Sequence, residues 1–122
     1  MRFASTAAVL ALTLSTPLMA QEHYRLHTAA DLAQVCSTPA SAGDHVTAVA
    51  FCHGVLAGAY GYFLASTPQA ERFVCPPSSP PVTRTQVANG FVAWLKANPQ
   101  RANDGAVDAL FRYGAEAYPC KR

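Results

Sequence analysis

DHVTAVAFCHGVLAGAYGYFLA, residues 44–65, is the stretch that decides the fold. Val46, Val49, Ala50, His53, Ala57, Tyr60 and Leu64 recur at three- and four-residue steps, the period of an α-helix. Phe51, Val55, Tyr62 and Phe63 make the other side apolar as well, so this helix reads as the central one of a bundle. Asp44 stands where an N-cap is wanted. Gly54, Gly58 and Gly61 each cost about 1 kcal/mol relative to Ala in a helix interior. The compensation expected is a close approach of neighbouring helices along a glycine-lined strip.

Toward the N-terminus, residues 37–43 hold the Ser, Pro and Gly of a loop. Before them, Thr28 and Asp31 have the spacing of a capping box, which opens a short helix over residues 29–36. The first twenty residues read as a secretory signal peptide: Arg2 gives a positive start, residues 7–14 an apolar run, and cleavage is expected after Ala20. That run falls well short of the roughly twenty residues needed to span a bilayer, so no stable membrane insertion is expected once the leader is gone. Residue 21 is Gln, so no lipid-bearing cysteine follows the cut.

Toward the C-terminus, five prolines (Pro68, Pro76, Pro77, Pro80, Pro81) forbid helix around Cys75 and favour extended backbone. Thr83 and Gln86 form a second capping box, opening a helix with Val87, Phe91, Trp94 and Leu95 on one face. Asn98-Pro99 stops it and can restart another. A last helix is expected from residue 103 or 104 to 117, burying Ala106, Val107, Leu110, Phe111, Gly114 and Ala115. No alternating run long enough for a strand is present. The expectation is all-α: a short leader and four helices in one small disulfide-bonded bundle over residues 21–122.

Charge and cysteine usage bound the function. Loss of Arg2 with the signal leaves eight basic against seven acidic side chains, scattered instead of striped, which argues against nucleic acid as partner. Cys36, Cys52, Cys75 and Cys120 are even in number and all lie beyond the signal, as expected of disulfides in an exported domain. Four cysteines allow three pairings, and the residues alone do not choose among them.

Catalytic and metal chemistry find no foothold. There is neither Cys-x-x-Cys nor His-x-x-x-His for a metal, and Val49 stands where covalent haem attachment ahead of Cys52-His53 would need a second cysteine. Cys52 and His53 are adjacent on one helix and so point apart, unlike a nucleophile and its base. His53 reads as a helix side chain satisfied by a neighbour, and Asp104 with Asp108 as a solvated acidic face. Phe91 and Trp94 read as core; an exposed Trp94 would become the first interface anchor to test. No catalytic residue, metal or cofactor is expected.

Taken in order, Cys52-x-Gly54-Val55-Leu56-x-Gly58, Phe73-x-Cys75-x-Pro77, Val82-Thr83-x-x-Gln86, Trp94-Leu95-x-x-Asn98-Pro99 and Tyr118-Pro119-Cys120 resemble the Rap/Tai family of type VI secretion immunity proteins. The resemblance covers nearly all of the chain from Cys36 onward. Gly61 stands where members often carry Asp, Asn98 where they carry His, and residues 78–81 look inserted.

The resemblance implies a periplasmic, four-helix inhibitor that binds a peptidoglycan amidase effector and blocks its cleft, often as a homodimer. It also implies the pairing Cys36 with Cys52 and Cys75 with Cys120. A cleft-blocking element must protrude and hold its shape, and the polar turn after Pro99 meets that description, so Gln100, Arg101 and Asn103 are the expected partner contacts. The alternative weighed beside it is a small periplasmic acid-stress chaperone. Seven acidic residues are few for a fold that loosens by carboxylate protonation.

Overall fold

Thr28 and Asp31 build the start of the first helix as a reciprocal cap. The Thr28 hydroxyl accepts from the Asp31 amide at 3.2 Å, and the Asp31 carboxylate accepts from the amides of Thr28 and His27 at 2.9 and 3.1 Å. A computed structural model describes residues 24–121, in which helix α1 spans Ala29–Cys36. The expected signal peptide lies outside the described residues. Ala29 and Leu32 are completely buried and Val35 nearly so, one stripe of an eight-residue helix. Three longer helices follow: α2 (His45–Ser66), α3 (Arg84–Ala97) and α4 (Ala106–Ala117). No strand occurs among the described residues, only isolated bridges such as Thr28 with Gly105 and Val74 with Pro119.

Helices α1 and α3 each pack against all three others, and it is α1, with Ala29 and Leu32 completely buried, and not α2, that lies at the centre of this bundle. Phe91, Leu32 and Cys52 are its largest fully buried side chains. On α2 only Ala48, Cys52, Leu56 and Phe63 are buried, while Val46 and Tyr62 are 80% and 76% exposed. The glycine-lined approach expected there is absent: a Cβ added at Gly54, Gly58 or Gly61 would meet nothing within 4 Å. Other elements do close in at two other glycines. At Gly90 of α3 a Cβ would collide with the Tyr113 hydroxyl, and at Gly114 of α4 it would press on the Val74 methyls at 3.1 and 3.3 Å.

Local chemistry explains the other departures. Asp44 precedes α2 but makes no side-chain cap; its carboxylate accepts instead from the Tyr24 hydroxyl at 3.4 Å. The α3 box forms fully between Thr83 and Gln86. Helix α4 begins at Ala106, later than residue 103 or 104, because the Asp104 carbonyl is taken by the Ala29 amide and the Asp104 carboxylate by Arg101. Its buried face runs through Ala106, Ala109, Leu110, Tyr113 and Gly114, leaving Val107 47% exposed.

Cys36 pairs with Cys52 and Cys75 with Cys120, as the resemblance implied. In the chain-entropy picture, loops of 16 and 45 residues are worth roughly 3 and 4 kcal/mol of cross-link stabilisation. The second bridge ties the proline-rich connection to the chain end, where the Cys75 amide also donates to the Tyr118 carbonyl at 2.8 Å. The Ser79–Pro80 bond in this connection is cis. Arg72 closes the C-terminus of α2 by donating to the carbonyls of Leu64 and Thr67 at 3.0 and 3.3 Å.

Candidate partner-binding site

Residues 98–105 join α3 to α4 and contain a single 3₁₀ turn, Pro99–Arg101. Proline at its first position fixes φ where the turn needs it. The Asn98 side chain then folds back, its amide donating to the Trp94 carbonyl at 2.9 Å. The structure brings Gln100, Arg101 and Asn103 together on this turn. Gln100 and Asn103 are exposed, while Arg101 is half-buried with its guanidinium on the Asp104 carboxylate at 3.2 Å.

The turn is held by α1. Two amides of the first turn of α1, which no intrahelical carbonyl can satisfy, donate outward: Ala29 to the Asp104 carbonyl at 2.8 Å and Ala30 to the Ala102 carbonyl at 3.0 Å. The Ala106 amide answers by donating to the His27 carbonyl at 3.2 Å. A polar connection that would otherwise be free is thereby pinned by two backbone bonds to the buried start of α1, with a third tying the start of α4 to the residue before the α1 cap. Less ordering entropy is left to lose when a partner binds.

Charge on this edge is neutralised internally. Arg112 donates to the Asp108 carboxylate at 2.8 Å and lies 4.0 Å from that of Asp104. The Asp108 hydrogen bond, with the charge of the two carboxylates, raises Arg112 above its usual range. Asp104 and Asp108 are therefore members of a surface ion network, not free carboxylates, and such exposed pairs orient side chains more than they stabilise. The sequence reading missed Arg112; the four-residue step from Asp108 was the available signal.

Residues weighed for chemistry lie elsewhere. The cysteine next to a histidine is oxidised: Cys52 is bonded to Cys36, and His53 sits half-buried beside it on α2. Among the described residues no group of three or more His, Cys, Asp or Glu is placed to hold a metal. Trp94 is half-buried, stacked on Phe91 and donating its indole N–H to Glu116 at 2.8 Å, so it belongs to the packing of α3 on α4.

The family model for Rap1a immunity proteins matches residues 28–120, the whole bundle from the first cap to the last cysteine. The chain belongs to the Rap1a immunity protein family. Membership implies an immunity protein acting against a secreted effector, in a family that is generally non-catalytic. No match was found among curated proteins or solved structures.

Proposed function

We propose that this chain is a periplasmic, non-catalytic inhibitor that binds a peptidoglycan amidase effector and blocks its active cleft, with Gln100, Arg101 and Asn103 in contact. The observation that carries this reading is the pinning of the polar turn to α1 by the Ala29 and Ala30 amides. A protruding segment that keeps its shape unbound can enter a cleft without first being ordered. Oxidation of all four cysteines suits an oxidising compartment. A homodimer belongs to the same proposal: residues 45–66 contain no Asp, Glu, Lys or Arg, so two copies meeting through the outward face of α2 would bury no unpaired ion.

The test is titration of a purified peptidoglycan amidase effector with the disulfide-bonded protein, reading amide-bond hydrolysis in muropeptides. The expected result is stoichiometric inhibition, weakened on the order of a hundredfold when Gln100, Arg101 and Asn103 are all changed to Ala, the size of a lost interface hot spot. Inhibition unchanged in that triple variant would remove these residues from the interface. Light scattering of Gly58→Glu against the parent reads the dimer, which the substitution should dissociate.

A further inference from the structure

A second feature lies between α2, the proline-rich connection, α3 and α4. It is a half-open cavity of about 340 Å³, walled by Leu56 and Gly61 of α2, Val74 and Pro76 of the connection, and Leu110 and Phe111 of α4. That volume falls in the range of about 300–1,000 Å³ typical of small-ligand pockets. No carboxylate lines it, and its only charge is Arg84, exposed on the first turn of α3. Among the described residues Arg84 makes no ion pair. Two of the three phenols lining the cavity, Tyr113 and Tyr118, are within 3.4 Å of each other, hydroxyl to hydroxyl.

We propose that this groove binds a fatty acid, its alkyl chain laid between α2 and α4 and its carboxylate on Arg84. An apolar channel with one unpaired cation at its edge matches a ligand with one anionic end and an apolar body. The fit to peptide is poor. An extended segment brings an N–H and a C=O per residue, and the lining offers almost nothing to receive them. An alkyl chain has no polar group to leave unsatisfied.

Glycine at position 61 makes the test clean. A Cβ there meets nothing within 4 Å and the residue lines the cavity, so Gly61→Leu adds bulk to the groove from a position with room for it. Val82→Phe adds bulk from another lining position. The experiment is calorimetric titration of the full mature, disulfide-bonded protein with dodecanoate below its micelle-forming concentration and, separately, with the uncharged dodecan-1-ol below its solubility limit.

One saturable dodecanoate site is expected, lost in Gly61→Leu and in Val82→Phe. Arg84→Gln should weaken dodecanoate on the order of tenfold, one charge-assisted contact, and leave dodecanol unchanged. Absence of saturable dodecanoate binding, or binding indifferent to both filling variants, would overturn the proposal. So would equal weakening of both ligands by Arg84→Gln. Protection of groove amides by an amidase effector but not by dodecanoate would also overturn it, by giving the groove to a protein segment.

Discussion

Helices α1 and α2 invert the usual relation between greasiness and burial. The shorter, eight residues long, touches every other helix and hides Ala29, Leu32 and Val35 completely or nearly so. The longer, 22 residues and apolar all round, buries four and turns Val46, Gly54, Gly58 and Tyr62 to solvent. What decides burial is how many neighbours an element meets. A helix that meets three others needs only one good stripe, while a helix at the edge keeps an apolar face that its own chain cannot cover.

That contrast can be broken most forcefully in the core. Leu32→Ala should cost about 3 kcal/mol in urea unfolding, since the cavity it leaves is enclosed by three helices, whereas Val46→Ala should stay within about 0.5 kcal/mol. Comparable losses at the two sites would mean that α2 is the real centre.

Glycines sharpen the same comparison with opposite signs. Gly90→Ala drives a methyl into the Tyr113 hydroxyl and should destabilise by about 2 kcal/mol, the scale of core overpacking. Gly58→Ala enters open space on α2 and should stabilise by up to about 1 kcal/mol through helix propensity. Thermal unfolding of the two single variants reads both signs.

The smallest effect sits at the start of α1. Backbone hydrogen bonding at Thr28 holds the Asp31 carboxyl below its usual range, which favours the ionised form in the folded state. The stabilisation it supplies is therefore present above the unfolded value of about 3.9 and is lost as pH falls through the lower folded value. A melting-temperature difference between parent and Asp31→Asn should accordingly be seen at neutral pH and vanish in acid. A difference independent of pH would assign it to something other than that charge.

Much of this architecture is legible in the residues because capping boxes and prolines act locally. Thr28 with Asp31 and Thr83 with Gln86 fix two helix starts within a residue, and the prolines fix where the long connection runs. What periodicity could not supply was which helix lies inside, since an all-apolar pattern reads the same on a central helix and on an edge helix with an open face. The glycines misled for the same reason: a missing side chain signals close approach only where another element is near, at Gly90 and Gly114 but not at Gly54. For the candidate site, a polar turn after Pro99 was visible in the chain. Its anchoring was not, because the bonds from Ala29 and Ala30 join segments more than seventy residues apart and use only backbone atoms.

Amide hydrogen exchange on the complex with a peptidoglycan amidase effector tests the account most directly. Strong new protection should appear at residues 98–105, with little change on the outward face of α2 beyond that of the free protein. Protection confined to α2, with the turn exchanging as it does in the unbound state, would contradict the assignment of the turn as the inhibitory surface.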